Sequence, residues 1–120
     1  MREIKFSYMY QHEETGTWTN AKYTLEEIER EKRSVNNFAR HTLVARRQYT
    51  GLKDSKGVDI YEGDIVTGKK RGDPIKGHLV VYDIHWFVHD PHTLIYLGSV
   101  GDLEVVGNIY ENPESIEQGG

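Results

Sequence analysis

Apolar and polar residues alternate from the start of the chain. Ile4, Phe6, Tyr8 and Tyr10 interleave with Glu3, Lys5, Ser7 and Met9, a period of two that predicts a strand with one buried face. The polar stretch His12 to Gly16 then reads as a turn, and Thr17-Trp18-Thr19 as a short return strand, so a hairpin opens the chain. At Thr24-Leu25-Glu26-Glu27 the period changes. Threonine followed three positions later by glutamate is a capping box. Leu25, Ile28, Lys32 and Val35 have helical spacing but form only a narrow apolar stripe, predicting one short, solvated helix near residues 25–34. Glu26 with Arg30 and Glu29 with Arg33 are oriented to support it, at about 0.2–0.5 kcal/mol each. Phe38 and Ala39 extend its buried face.

Beyond the helix the pattern is of strands only. Thr42 to Tyr49 is rich in β-formers although it carries Arg46 and Arg47. Asp54-Ser55-Lys56-Gly57 has turn residues in order, and Gly63 precedes a second strand, Asp64-Ile65-Val66. Gly68 through Gly77, with Pro74, reads as a polar loop at a hairpin tip. His78 to Ile84, Trp86 to Val88, Leu94 to Leu97 and Leu103 to Val106 are further short strands. Asp90-Pro91-His92 and Asn112-Pro113 punctuate them, and residues 115–120 read as a frayed tail. Short strands separated by glycine turns predict a mainly β fold bordering on α+β. Its form is a small bent antiparallel sheet or an SH3-like or more complex barrel, in a single domain spanning 1–120.

Composition narrows the function classes. Apolar residues make up 37%, and eight Tyr, two Trp and three Phe supply the large core pieces. A net charge of −4 argues against a globally basic nucleic-acid binder and falls short of a DNA mimic, leaving room for a local basic patch. The chain has no Cys, which excludes disulfides, thiolate-bound zinc and a thiol nucleophile. With no leader-like segment and no apolar run approaching about 18 residues, a cytoplasmic protein with no membrane partner is expected.

Several constellations could carry chemistry. Tyr61-Glu62-Gly63-Asp64 puts two carboxylates and a phenol on one tight turn. A Gly-Asp pair before an Ile-Val strand is more simply a strand entry, with the Asp capping backbone N–H groups. His85 and His89 would chelate on a helix, but Trp86-Phe87-Val88 favours a strand, which holds them about 13 Å apart. His89, Asp90 and His92 could converge in a turn as the centre of a metal-dependent hydrolase. No HExxH motif, nucleophile elbow or phosphate loop accompanies them. No cofactor, bound metal or catalytic residue is therefore expected. Lys69-Lys70-Arg71 with Lys76 forms a basic tip in sequence near Tyr82, Trp86 and Phe87. Cations beside exposed rings suit a single nucleic-acid strand, although the residues flanking Trp86 place that ring in the core.

Two blocks carry a family resemblance. One runs Tyr49-Thr50-Gly51-Leu52-Lys53-Asp54-Ser55-Lys56-Gly57-Val58-Asp59-Ile60-Tyr61-Glu62-Gly63-Asp64-Ile65-Val66; the other runs from Leu103 through Gly107-Asn108-Ile109-Tyr110 to Glu114. In residue type and order they resemble the YopX family, small proteins encoded by phages and prophages, mainly of Gram-positive bacteria. The resemblance spans most of the C-terminal two-thirds. Lys5-Phe6-Ser7-Tyr8-Met9-Tyr10 departs from the family's usual basic-aromatic opening, and the helix looks like a subfamily feature. The resemblance implies a phage or prophage accessory protein, with Tyr49, Gly51, Leu52, Asp54, Gly57, Tyr61, Glu62, Gly63, Asp64, Gly107, Asn108 and Tyr110 as structural motif residues. Action by binding is expected, through contacts with a phage or host protein or by self-assembly into a homo-oligomer that covers sheet edges. The alternative is a nucleic-acid-binding barrel using Lys69, Lys70, Arg71 and Lys76.

Overall fold

The computed structural model describes residues 4–30, 39–83, 85–89 and 94–116. Among the described residues, nine strands in two antiparallel sheets and one short helix confirm the mainly β expectation. Neither sheet closes into a barrel among the described residues. The chain divides into two compact units, Met1–Gly51 and Leu52–Gly120.

In the first unit, β1 (Lys5–His12) lies between β2 (Trp18–Thr24) and β3, which runs His41–Lys53 and carries the chain into the second unit. Phe6, Tyr8 and Tyr10 form one face of β1, and Tyr8 meets Tyr23 of β2 edge-on at 5.4 Å between ring centres. That apolar face was legible. The opposite face differs from expectation, because Ser7 and Met9 are also fully buried while Ile4 is exposed. A central strand bonded on both sides can be covered on both faces once its polar groups are satisfied. Here the Ser7 hydroxyl donates to Asn20 Oδ1 and accepts from Arg47 Nη2 at 3.1 Å. Arg47 is only 3% exposed, whereas Arg46, one residue earlier, lies over the Tyr8 ring at 5.4 Å.

The helix α1 (Leu25–Arg30) starts at the predicted capping box. The Glu27 N–H donates to Thr24 Oγ1 at 3.1 Å and the Thr24 N–H donates to Glu27 Oε1 at 3.0 Å. Glu26 and Arg30 pair at 2.5 Å. Ile28 packs against the Tyr8–Tyr10 cluster. The predicted contributions of Lys32, Arg33, Val35 and Phe38 lie outside the described residues.

In the second unit, β4 (Asp59–Tyr61) leads to a five-stranded sheet. It is formed by β5 (Asp64–Lys70), β6 (Asp73–Asp83), β7 (His85–His89), β8 (Leu94–Tyr96) and β9 (Gly101–Asn108). Their order is β8-β7-β6-β5-β9. Ile60, Val66, Val80, Trp86, Val88 and Leu97 build its core, so Trp86 is buried as predicted, with the exposed Tyr82 ring against it at 4.8 Å.

The stretch Gly68 to Gly77 is the tip of a hairpin, as expected, but its loop is shorter than the polar run suggests. Lys69 pairs with Pro74 and Lys70 with Asp73, leaving a two-residue turn of Arg71 and Gly72 at φ +53° and +84°. Two positive φ values give the turn twist that lets antiparallel strands continue to its edge. The polar composition concealed how far the paired strands run, because both faces near the tip are solvated.

Candidate functional site

The two family blocks meet in the second unit, and their polar residues account for how. In the Asp54–Gly57 turn, Asp54 Oδ1 accepts from the N–H groups of Lys56 and Val58, each at 2.9 Å. Its Oδ2 accepts from the Val105 N–H on β9 at 3.0 Å, and the Ser55 N–H donates to the Leu103 carbonyl at 2.7 Å. One carboxylate therefore holds its own turn and fastens it along β9. This occupies part of the edge that a strand from another chain would need. Burial pushes the Asp54 carboxyl up, but the three backbone donors outweigh it and hold the group below its ordinary range.

The second junction repeats the device. Asp64 Oδ2 accepts from the Tyr61 N–H at 2.8 Å, the predicted cap. Asp64 pairs with Asn108 across β5 and β9, and the Ile109 N–H donates to the Gly63 carbonyl at 2.9 Å. Asn108 Oδ1 in turn accepts from the N–H groups of Tyr110 and Glu111, at 3.0 and 2.9 Å. Gly107 is required for contact: an added Cβ would lie 2.9 Å from Asn112 Cβ. In the first unit, Lys5 Nζ sits 4.5 Å from the centre of the Tyr49 ring. Gly51 takes φ +88°, while Leu52 is exposed and Glu62 half-buried. Asp54, Asp64 and Asn108 thus have backbone groups as partners, which makes this part of the motif a scaffold.

Gly57 and Gly63 adopt φ +84° and +85°, as their turn positions predict. At Gly57 nothing lies within 4 Å of an added Cβ, so Gly57→Ala isolates backbone strain. The expected loss is about 1–2 kcal/mol, read as a lower thermal midpoint. A midpoint at or above wild type removes the left-handed turn from the account.

The basic tip is not one cluster of four equivalent cations. Lys70 Nζ donates to Ser99 Oγ at 2.8 Å, and Ser99 Oγ donates to the Tyr96 carbonyl at 2.7 Å. Lys69, Arg71 and Lys76 form no ion pair among the described residues, and all three are exposed. Asp73, opposite Lys70, and Asp102, next to the Lys69 partner Gly101, offset part of the charge. Residues 52–120 hold six Lys and Arg against twelve Asp and Glu, a net of −6, so the basic character is confined to this tip.

Tyr96 is the aromatic residue that sequence reasoning missed. It is 51% exposed, just before the 3₁₀ turn Leu97–Ser99 that receives Lys70. Its ring edge lies against Gly98, where an added Cβ would be 2.9 Å from Tyr96 Cε2. Only the fold brings this residue to the hairpin.

His85 and His89 lie on β7, as the strand reading expects. Asp90 and His92 lie outside the described residues, so the candidate metal cluster is not placed. Among the described residues no three His, Asp or Glu are arranged to hold a metal, and no helix is long and apolar enough to cross a membrane.

The YopX protein family matches residues 1–117. The chain belongs to the YopX family, and the match includes the N-terminal third as well as the two blocks. No curated protein matches it. Among solved structures it is similar to protein EF1440 from Enterococcus faecalis, with 27% identity over 92% of this chain and 75% of that chain, at a TM-score of 0.47.

Proposed function

We propose that this chain is a phage or prophage accessory protein that works in the bacterial cytoplasm by binding, with the tip of the β5–β6 hairpin as its contact surface and a polyanion as its partner. The observation that carries this reading is Arg71. It occupies the first central position of a turn with φ +53°, where Asn, Asp or Gly is strongly preferred and an ordinary side chain costs about 1–2 kcal/mol. A cation kept in a conformation that disfavours it, beside two further exposed cations with no ion pair among the described residues, supports a role for its charge. Asp54, Asp64 and Asn108, which could have offered chemistry, are engaged with backbone, and this favours binding over catalysis.

The test is retention on immobilised heparin. Wild type is expected to be held and released by salt. Lys69→Glu with Arg71→Glu should elute near the void while melting like wild type. Arg71→Asn separates charge from fold, since Asn-Gly suits this turn better: the thermal midpoint should hold or rise while retention falls. Unchanged retention of the double variant removes the hairpin as the contact surface. Retention lost only through a second copy dissociating, read by light scattering, would transfer the role to self-association.

A further inference from the structure

We infer that the polyanion is a single nucleic-acid strand, with Tyr96 as a stacking platform for a base and Lys69, Arg71 and Lys76 as its phosphate contacts. This rests on the proposed contact surface and adds what that surface selects. Binding a single strand without sequence preference requires two elements side by side, cations along the backbone and an exposed aromatic face. Both occur here on one body. Lys70 reaches Ser99, Ser99 holds the Tyr96 carbonyl, and the backbone of Gly68 sits so close to Val100 that an added Cβ would lie 2.6 Å from Val100 Cγ1. The hairpin and the 3₁₀ turn are therefore fixed to one another, and the edge of the Tyr96 ring lies against Gly98 in a residue that is 51% exposed.

Two other aromatic residues fit less well. Trp86 is in the core, and the Tyr82 ring, although 58% exposed, lies against Trp86 at 4.8 Å. The acidic remainder of residues 52–120 restricts a polyanion to the tip, where Asp73 and Asp102 also limit how many phosphates are neutralised. Three phosphate contacts on a single strand predict a salt slope near −2, so affinity should fall about 20-fold between roughly 50 and 200 mM salt.

The experiment is fluorescence anisotropy of the full chain with a labelled oligothymidylate, the matching duplex and labelled polyglutamate. The single strand should bind more tightly than the duplex. Tyr96→Ala should weaken single-strand binding by about 5- to 140-fold, the equivalent of 1–3 kcal/mol per stacked base, and leave duplex binding nearly unchanged. Tyr96→Phe should retain binding, because stacking uses the ring and not the hydroxyl. Tyr82→Ala should have no effect. Equal binding of strand and duplex with no loss in Tyr96→Ala overturns the stacking assignment and leaves the contact surface standing. Binding of polyglutamate alone points to an acidic protein and overturns the nucleic-acid partner. Binding of none of the probes overturns this inference and the contact surface together.

Discussion

Replacing Trp86 with Ala should cost about 3–5 kcal/mol of stability, the amount expected when a large ring leaves a packed core. The ring is 7% exposed and shares its cluster with Val66, Val80, Val88 and Leu97 from four different elements of the second unit. Its removal would leave a cavity that neighbours held on paired strands cannot easily close. Tyr82, which meets the ring at 4.8 Å, would lose its support as well. Urea denaturation should show a lower midpoint with an unchanged slope. Trp86→Phe should recover part of the loss. The same variant separates the two aromatic roles at the site, because Trp86→Ala should alter single-strand binding only through stability, whereas Tyr96→Ala should alter binding and leave stability nearly intact. If Trp86→Ala melts like wild type, the residue is not a core element and the placement of β7 is at fault.

What the sequence shows of this fold is local. The Thr24–Glu27 capping box, the Asp54–Gly57 turn and the Asp64 cap each join residues two to four apart, and each forms as predicted. Trp86 was legible through the apolar residues beside it. The burial of Ser7 and Met9 was not, because it depends on β1 lying between two partners and on Arg47, 40 residues away, reaching Ser7. A hairpin tip was legible between Gly68 and Gly77, but the reach of its strands to Arg71 was hidden for the opposite reason: they have solvated faces there, so no alternation marks them. Pairing of Lys69 with Pro74 becomes visible only through the turn angles.

The candidate site divides along the same line. Sequence supplied its cations, since Lys69-Lys70-Arg71 is a contiguous run. It could not supply Tyr96, which joins them through Lys70 and Ser99 across 29 residues of chain. Nor could it distinguish Lys70, held by that bond, from its exposed neighbours Lys69 and Arg71. The family blocks behave likewise. Their residue types announce turns, while the fastening of the first block to the second through Asp54 and Val105 is a long-range event with no periodic trace.

That fastening makes the fold of the second unit sensitive to Asp54. Its carboxylate, 7% exposed, accepts three backbone N–H groups. Asp54→Ala removes the acceptor of all three; these bonds are part-buried, with Lys56 and Val58 exposed, so the loss should be about 1–3 kcal/mol. Asp54→Asn keeps one oxygen for Lys56 and Val58 but turns an amide donor toward the Val105 N–H, and should fall between wild type and Ala. The pH dependence gives an independent reading. Burial raises the carboxyl and the three donors lower it further, for a net depression in the folded state. A depressed acid contributes stability that is fully present above its unfolded pKa of about 3.9 and is lost as pH falls through the folded value. The stability difference between wild type and Asp54→Asn should therefore be largest near neutral pH and shrink below about pH 4. Urea titrations of both proteins at about pH 6 and about pH 3 measure it. A difference that stays constant between those values would mean that the Asp54 charge does not hold the turn against β9.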